Sequence, residues 1–390
     1  MIVSFGIILL LGFIVGYILS KVKIPGLVGM IILGLVIGPY VLGLIDSSIL
    51  AISSELRQMA LVIILTRSGF NLDVDALKMV GRPAILMSFV PACLEIIGVS
   101  LISYFLLGLN IFECLLMGSV LAAVSPAVIS PRMIKLIDRN VGSSKEVPKM
   151  ILAASSLDDI LVIILFYAFL GLNVNNSFNF LSISMIPVSI ILGIVLGFFV
   201  GLVLAFIFKK FKFNLAISVL ITLSFSFLMI GFENLVKDYV SISSLLGIMV
   251  MGITLLFKNS IKAKELSNGY NGLWLFFEII LFVLVGASLD YSYALENFLV
   301  GLVILIVGLS FRIVGVIISL IKTNLNFKEK IFACISYLPK ATVQASIGGI
   351  ALGLGLPSGG IILTVSILSI LITAPIGALL IDNLSDKLLS

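Results

Sequence analysis

The chain has 390 residues, of which 61% are hydrophobic and 11% are charged, and its mean hydropathy is +1.31. Soluble globular proteins are usually about a quarter charged, so this composition excludes a water-facing fold and predicts an all-α polytopic membrane protein. The chain contains no histidine, and its three cysteines lie in apolar segments, which argues against a zinc site, a haem site and a disulfide framework.

Apolar segments of about 20 residues are long enough to cross the hydrocarbon core of a bilayer as helices. The first is interpreted as a membrane span rather than a signal peptide, because its first cations, Lys21 and Lys23, follow the apolar run. No hydrophilic stretch is long enough for a soluble domain, so we expect no nucleotide-binding module. We predict thirteen spans, at 2–20, 24–43, 55–71, 84–108, 111–136, 149–172, 180–208, 212–231, 239–257, 270–289, 294–321, 327–354 and 357–381.

The distribution of positive charge supports this count and predicts the orientation. Nineteen of the 24 Lys and Arg residues lie in the connections after odd-numbered spans and in the tail at Lys387, whereas the opposite connections hold Arg57 and Lys237. Cytoplasmic loops carry the excess of cations, so we predict an N-terminus outside the cell and a cytoplasmic C-terminus, in a cell membrane such as the bacterial inner membrane. The net charge of +5 is therefore a topology signal and not a nucleic-acid footprint.

Matching interruptions predict an internal repeat. The first six and the last six spans would form two inverted six-helix repeats joined by the seventh, a common transporter plan. Proline interrupts the fifth span at Pro126 and Pro131, and its mate, the twelfth, is interrupted at Pro339 and at the pair Gly348–Gly349. Membrane helices often contain proline and only kink. Two broken helices in equivalent positions nevertheless favour a substrate site near the midplane, where they would cross in a core domain.

Charged residues inside the spans need a separate explanation. Glu95, Asp159 and Arg312 lie about 14–17 Å from the predicted cytoplasmic ends of their helices, and Lys340 lies about one turn deeper. We predict that Glu95 and Arg312 form a buried ion pair that ties the two halves together, because an isolated charge in the membrane costs several kcal/mol. Arg67 lies about a turn from the inner end of its span and is predicted to reach the interface.

Asp158 and Asp159 stand side by side in the sixth span and share a helical face with Ser155. An aspartate at a helix centre costs about 2.5–3.5 kcal/mol, and two carboxylates this close cannot both ionise easily. We therefore predict that the pair holds protons when cations are scarce and a monovalent cation when they are abundant. The alternative is a structural carboxylate pair that is hydrogen-bonded to the backbone of a neighbouring break, although one aspartate would suffice for it.

The expected ligand chemistry is that of a hard cation such as Na⁺ or Li⁺, because carboxylate, hydroxyl and carbonyl oxygens are hard donors. Asp158 and Asp159 would bind the ion, and Lys340 would neutralise one aspartate, most simply Asp158, in its absence. Carbonyl groups freed around the prolines of the fifth span could complete the shell. The hydroxyl groups expected near the ion are those of Ser125, Ser130, Ser155 and Ser156.

Several motifs resemble one known family. They are IPGLVGMIILGLVIGP at 24–39, LTRSGFNLDVDALKMVGRP at 65–83, AAVSPAVISP at 122–131, SSLDD at 155–159, LFVLVGASLD at 281–290 and LPKATVQASIG at 338–348. Together they resemble the monovalent cation:proton antiporter superfamily. The resemblance is to its double-aspartate branch with the NhaA/NapA-type fold, and within it to the bacterial relatives of the animal sodium/proton antiporters.

The resemblance implies a secondary transporter, not an enzyme, that exchanges Na⁺ for protons and needs no cofactor beyond the transported ions. It implies that Asp159 is the principal cation ligand, with Asp158 as the second carboxylate and Lys340 as its partner, and that Glu95 and Arg312 form a stabilising pair. It also implies a homodimer in the lipid bilayer, in which a core domain slides against a dimer domain in an elevator-like motion. The expected division is dimer-domain helices at 1–83 and 211–293, core-domain helices at 84–172 and 294–390, and a linker helix at 173–210.

Other functions stay open at this stage. A potassium/proton exchanger or a Kef-like potassium efflux transporter would share the fold, although the latter often carries a cytoplasmic nucleotide-binding domain. An intramembrane aspartyl protease needs carboxylates that face a common water, whereas adjacent residues on one helix point about 100° apart. A sensor without transport would not explain the paired helix breaks. Members of the double-aspartate branch often carry lysine where Arg312 stands, and because arginine stays protonated, the proton-to-cation ratio is also open.

Overall fold

The computed structural model describes residues 1–71, 81–174, 180–236 and 239–389, and the regular structure in those ranges is helical. A long apolar run in lipid favours the helix, because its backbone N–H and C=O groups are then bonded within one segment. Two cations of the predicted charge pattern, Lys78 and Lys237, lie outside the described residues, as does the part of the motif at 65–83 that spans 72–80.

The helices follow one another closely along the chain, with a 3₁₀ turn at Ser143–Lys145. In chain order they are α1 Ile2–Lys21, α2 Gly26–Ile37, α3 Ser47–Ala51, α4 Ser53–Phe70, α5 Arg82–Leu107, α6 Ile111–Leu121, α7 Pro126–Asp138, α8 Val147–Val174, α9 Phe180–Lys210, α10 Leu215–Val236, α11 Ser244–Lys258, α12 Ser260–Ala287, α13 Tyr291–Glu296, α14 Phe298–Ser319, α15 Phe327–Ser336, α16 Thr342–Ile347, α17 Ile350–Gly353 and α18 Gly359–Leu388.

Each predicted span coincides with a helix or with a helix broken into pieces. The fifth predicted span, 111–136, corresponds to α6 and α7, and the twelfth, 327–354, corresponds to α15, α16 and α17. Within the described residues, nine helices are long and apolar enough to cross a membrane when α6 and α7 are taken together, and three shorter apolar helices accompany them. The chain is therefore a many-pass membrane protein, whereas the total of thirteen crossings and the inverted repeat stay predictions.

The chain divides into two compact units. The first comprises Met1–Glu55, Asp73–Phe169 and Ile279–Ser390, and the second comprises Leu56–Leu72 and Leu170–Glu278. The second unit is held together by close helix packing: a Cβ added at Gly197 of α9 would lie 2.1 Å from the carbonyl oxygen of Gly247 in α11. Such contacts between small residues let membrane helices approach closely. The polar cluster described below belongs entirely to the first unit.

Two helix breaks lie where proline enters the chain. α6 ends at Leu121 and α7 begins at Pro126, which suits the first position of a helix because proline has no N–H to bond there. A second break, which contains Pro339, separates α15 from α16. Both breaks were expected from the sequence, and they place irregular backbone in the interior of the first unit.

The remaining predicted interruptions behave differently from one another. Pro131 does not interrupt its helix, because α7 continues through it to Asp138. A proline inside a membrane helix removes one backbone hydrogen bond, and the rest of the helix can persist around it. Gly348 and Gly349, in contrast, separate α16 from α17.

α5 and α14 pack through small residues, and this contact positions two of the charged side chains. A Cβ added at Gly315 of α14 would lie 2.5 Å from the Cα of Pro91 in α5. Residues three or four apart share a helical face. Arg312, three residues before Gly315, and Glu95, four residues after Pro91, are therefore directed towards each other.

Replacing Gly315 with alanine is expected to destabilise the protein, because the new methyl group would meet backbone atoms of Pro91 that cannot rotate away. Overpacking of this kind typically costs about 1–3 kcal/mol, which is measured as a lower melting temperature of the purified protein in detergent. Gly6→Ala is the matched control, because a Cβ at Gly6 in α1 would meet nothing within 4 Å. A G315A variant as stable as the wild type would contradict the described packing of α5 on α14.

Candidate functional site

Four charged side chains meet in the interior of the first unit. Glu95 comes from α5, Asp158 from α8, Arg312 from α14, and Lys340 from the break between α15 and α16. Each of them is at most 1% exposed. Charges buried this deeply are unfavourable unless they are paired and hydrogen-bonded, so the contacts of each one decide what the cluster can do.

Arg312 is the centre of the cluster. Its Nη1 donates to Glu95 Oε2 at 2.7 Å, and its Nη2 lies 3.1 Å from Asp158 Oδ2 and 3.3 Å from Oδ1. Its Nε donates to the carbonyl oxygen of Tyr337 at 2.8 Å, and its Nη1 also donates to the carbonyl oxygen of Ala122. The guanidinium lies 5.3 Å from the centre of the Tyr337 ring. Arginine can make all these contacts at once because its five N–H donors form a rigid, planar fork.

Lys340 pairs with Glu95 rather than with Asp158, which corrects the partner predicted from the sequence. Its Nζ lies 2.6 Å from Glu95 Oε2, the oxygen that also accepts from Arg312. Its backbone N–H donates to Thr373 Oγ1 of α18 at 2.8 Å. Glu95 Oε2 thus accepts from both cationic groups, whereas Asp158 Oδ2 is bound by Arg312 and by the backbone N–H of Val124.

Asp158 is bonded to the backbone of the neighbouring helix break as well as to Arg312. Its Oδ2 accepts a hydrogen bond from the N–H of Val124 at 2.7 Å. Val124 lies between α6 and α7, where the helix no longer supplies an acceptor for this N–H. The alternative interpretation of the sequence was a structural carboxylate pair that is hydrogen-bonded to the backbone of a neighbouring break. Asp158 has the contact that this interpretation expects.

Asp159 has very different surroundings. Its side chain is buried, at 9% exposure, and within the described residues its Oδ1 accepts no hydrogen bond. The ion pairs formed by Arg312 and Lys340 go to Glu95 and Asp158, and no cationic side chain of the described residues makes one with Asp159. Two adjacent carboxylates thus differ sharply: one is held by a charge and a backbone N–H, and the other has an unmatched oxygen.

Of the predicted hydroxyl ligands, Ser125 has the most suitable surroundings. It is 1% exposed, and its Oγ has no hydrogen-bond partner among the described residues. The hydroxyl groups of Ser155 and Ser156 both donate to the carbonyl oxygen of Leu152 within α8, each at 3.0 Å. Ser130 is half-buried in α7, and the contacts of the described residues do not connect it with either aspartate.

The cluster carries one surplus negative charge when every group is ionised. Three carboxylates, those of Glu95, Asp158 and Asp159, face two cationic groups, those of Arg312 and Lys340. The surplus lies on Asp159, since the other two carboxylates are in ion pairs. A single proton or a single monovalent cation at Asp159 would bring the cluster to neutrality.

The carbonyl groups at the end of α6 are occupied by distant side chains. The carbonyl oxygen of Ala122 accepts from Arg312. Those of Ala123 and Leu121 accept from Nε2 of Gln344, at 2.8 Å and 3.3 Å. Each of these three carbonyl groups thus has a donor of the protein, and the expectation that carbonyl groups freed near Pro126 complete a cation shell stays a prediction.

The two helix breaks also touch through their backbones. The N–H of Ser125 donates to the carbonyl oxygen of Pro339 at 2.8 Å. The N–H of Ala341, at the start of α16, donates to Oε1 of Gln344 at 2.9 Å. Polar backbone groups that the breaks leave unpaired are thus satisfied by each other and by buried polar side chains, as the membrane interior demands.

Sequence reasoning missed three residues of this site. Gln344 could have been found as the third residue of a helix that follows proline, the place where Gln commonly caps the helix start. Tyr337 contributes a carbonyl group and a ring face, and no motif indicates either. Thr373 supplies a hydroxyl group from α18 and is inconspicuous among the apolar residues of that helix. The roles of all the site residues stay predictions.

Comparison with known proteins gives one consistent family. The family profile described as "Sodium/hydrogen exchanger, transmembrane" matches residues 7–384. Sodium/hydrogen exchanger 9B2 of Homo sapiens is 35% identical over 415 residues, which cover 99% of this chain and 75% of that protein. Sodium/hydrogen exchanger 9B1 of Homo sapiens is 33% identical over 366 residues, which cover 87% of this chain and 67% of that protein.

A solved structure has the same fold. The sodium proton antiporter MjNhaP1 from Methanocaldococcus jannaschii at pH 8 aligns with a TM-score of 0.87 at 24% identity, covering 100% of this chain and 98% of that one. Sodium/hydrogen exchangers are transporters rather than enzymes, and they need no cofactor besides the ions they carry. Since the family profile covers nearly the whole chain and a relative is 35% identical along 99% of it, the chain belongs to the sodium/hydrogen exchanger family of membrane transporters.

Proposed function

We propose that the chain exchanges Na⁺ for protons across the membrane and that Asp159 carries each of them in turn. The observation that supports this most directly is the buried Oδ1 of Asp159, which has no partner among the described residues. A buried carboxylate without a partner is unfavourable, and either a proton or a monovalent cation relieves it. Because both compete for one carboxylate, binding of one requires release of the other, and this competition couples the two fluxes.

Asp158 is proposed to support the site rather than to carry protons. Its carboxylate is shared between Arg312 and the N–H of Val124, so protonation would weaken both contacts. Breaking a buried ion pair by neutralising one partner typically costs about 3–5 kcal/mol. Its negative charge still favours a cation at the neighbouring Asp159. Among the predicted hydroxyl ligands we favour Ser125, because its buried Oγ is not engaged by the described residues.

The charge balance favours an exchange of one proton for one Na⁺. The surplus of one negative charge is neutralised by a single proton or by a single Na⁺, so the loaded cluster has the same charge in both states. Arg312 stays protonated throughout. Lys340 lies 2.6 Å from Glu95 and is counted as a charged ammonium group in this balance.

The proposed cation is Na⁺, with Li⁺ as a close substitute. A carboxylate and a hydroxyl group are hard donors, and the attraction of a carboxylate for a monovalent ion grows as the ion becomes smaller. The names of the relatives point to the same ion. A potassium/proton exchanger or a Kef-like potassium efflux transporter is the alternative that the measurements below distinguish.

The contacts of the cluster favour a core domain that moves as one body. Arg312, Asp158 and Gln344 link α5, α8 and α14 with both helix breaks. We propose that this core slides against a dimer domain in an elevator-like motion and that the transporter is a homodimer. The proposed core comprises 84–172 and 294–390, the dimer domain 1–83 and 211–293, and the linker helix 173–210.

The proposed topology is that of the double-aspartate branch, with an NhaA/NapA-type fold. It has thirteen crossings in two inverted repeats, an N-terminus outside and a C-terminus in the cytoplasm of the cell. Three features support it: the adjacent aspartates of SSLDD lie in α8, the two breaks lie in matching positions of the chain, and cations gather in alternate connections.

Replacing Asp159 with asparagine is expected to abolish Na⁺-driven proton movement, because the amide neither takes up a proton nor balances a cation. The measurement is the Na⁺-induced loss of a pH gradient across everted membrane vesicles, followed with a pH-sensitive dye. Asp386→Asn is the matched control, since Asp386 is exposed and pairs with Arg139 at the end of α18. Exchange at the wild-type rate in D159N would rule out Asp159 as the carrier.

The same vesicles are expected to respond to Na⁺ and Li⁺ at lower concentrations than to K⁺, because the smaller ions gain more from a single carboxylate. The measurement is the half-saturating concentration of each chloride salt at fixed pH. Choline chloride controls for ionic strength and for chloride. A half-saturating concentration for K⁺ equal to or below that for Na⁺ would favour the potassium/proton exchanger instead.

The initial rate of Na⁺/H⁺ exchange is expected to be independent of membrane potential, because one positive charge crosses in each direction. Proteoliposomes with an imposed valinomycin–potassium potential test this. Moving one net charge through 100 mV is worth about 2.3 kcal/mol, so an exchange of two protons for one Na⁺ would respond strongly. Such a response, lost in a Lys340→Met variant that still binds Na⁺, would identify Lys340 as a second proton carrier.

A further inference from the structure

Gln344 uses every polar atom of its side chain to join the two helix breaks. Its Nε2 donates to the carbonyl oxygens of Ala123 and Leu121, at 2.8 Å and 3.3 Å, and its Oε1 accepts from the N–H of Ala341 at 2.9 Å. The side chain is 1% exposed. A carboxamide group has two N–H donors and one acceptor oxygen, so the whole group is engaged.

The bond that Gln344 Oε1 accepts is local in the chain, whereas the bonds that its Nε2 donates reach a distant segment. Glutamine at the third position of a helix commonly accepts from the N–H that precedes the helix, as Gln344 does from Ala341. Ala123, however, lies 221 residues earlier in the chain. The amide nitrogen therefore binds a carbonyl group that α6 leaves without a helical partner, and it does so across the crossing of the two breaks.

The residues next to these bonds belong to the proposed site. Ser125 follows Ala123 by two residues and carries the buried hydroxyl group proposed as a cation ligand. Lys340 directly precedes Ala341, and its Nζ lies 2.6 Å from Glu95 Oε2. A displacement of either break would therefore move a proposed ligand or the ammonium group of the cluster.

We propose that Gln344 is a positioning residue for cation exchange. Its carboxamide holds the two breaks in register and thereby sets the affinity of the site for the cation. The part that concerns affinity rests on the proposed function, whereas the part that concerns the breaks does not. Gln344 acts through Ser125 and Lys340 and has no contact with Asp159 among the described residues.

Three variants test this role. Gln344→Met keeps the length of the side chain but removes all three hydrogen bonds. Gln344→Glu keeps the acceptor for Ala341, and it restores a donor to Ala123 only when the new carboxyl group is protonated. Ser346→Ala is the matched control: Ser346 lies in the same helix and is 4% exposed, and among the described residues its hydroxyl group bonds only to the carbonyl oxygens of Thr342 and Val343 within that helix.

The first measurement is hydrogen–deuterium exchange by mass spectrometry on the purified full chain, and it does not depend on transport. In Q344M, the peptides that contain Val124, Ser125 and Ala341 are expected to exchange about tenfold faster or more, because each break loses a hydrogen bond that restrains it. S346A is expected to match the wild type. Equal protection of these peptides in Q344M and the wild type would overturn the proposal.

The second measurement is the Na⁺ dependence of exchange in proteoliposomes. Q344M is expected to raise the apparent KM for Na⁺ about tenfold, with a smaller effect on the maximal rate. For Q344E we expect the KM for Na⁺, divided by the wild-type KM at the same pH, to increase as the pH rises. The reason is that the new carboxyl group loses its proton, and a carboxylate cannot donate to the carbonyl oxygen of Ala123. A purely structural role would reduce the amount of folded protein and leave KM and this pH profile unchanged, and that result would overturn the proposal.

The two measurements separate failure of this proposal from failure of the proposed function. A wild-type protein that moves no protons in response to any monovalent cation would refute the function, and hydrogen exchange would still decide whether Gln344 holds the breaks. A wild type that exchanges normally, beside a Q344M variant with unchanged KM, would refute only the role of Gln344. Should Q344M not fold, Q344E carries both measurements.

Discussion

The guanidinium of Arg312 makes the contacts on which the rest of the site depends. It binds the carboxylates of Glu95 and Asp158 and the backbone carbonyl groups of Ala122 and Tyr337, so one side chain touches two helices and both breaks. Because its charge is permanent, it fixes a positive centre that does not change as ions come and go. The difference between the surroundings of the two adjacent aspartates follows from this arrangement: Arg312 holds Asp158, whereas Oδ1 of Asp159 has no partner among the described residues, and the proposed roles of the two carboxylates rest on that difference.

The breaks illustrate how the membrane interior constrains irregular backbone. A helix that stops inside a bilayer leaves carbonyl and N–H groups that neither lipid nor neighbouring apolar side chains can satisfy. Here those groups are bonded by Arg312, by Gln344, by the carboxylate of Asp158 and by the opposite break. Burying either a polar side chain or an unpaired backbone group alone would be unfavourable. Here the two kinds of group bond to each other, and each stabilises the other. The same bonds surround the proposed ion site, so in this proposal stability and function depend on one set of bonds.

The helices and the position of the site could be predicted from the sequence, because long apolar runs leave a chain in lipid few other structures. Pro126 and Pro339 indicated where the helices break, and the depth of Glu95, Asp159 and Arg312 indicated that their side chains share a level. The partner of Lys340 could not be predicted. Two carboxylates lie within its reach, and the choice depends on how far each helix is rotated about its axis. The contact between Gln344 and Ala123 was equally inaccessible, since it joins residues 221 positions apart and involves a main-chain atom that every residue type possesses.

The two breaks contact each other and the surrounding polar side chains largely through main-chain atoms. Ala122 and Ala123 offer carbonyl groups, Val124 and Ser125 offer N–H groups, and Pro339 offers another carbonyl group. The side chains of Ala122, Ala123 and Val124 are fully buried, so they must be small enough to fit, but their chemistry is not used. A change of side chain at these three positions therefore leaves the donors and acceptors of the backbone in place as long as the new side chain fits the same volume. The architecture of this segment is thus set mainly by backbone geometry, and a few polar side chains, among them Arg312, Asp158 and Gln344, are needed for their chemistry.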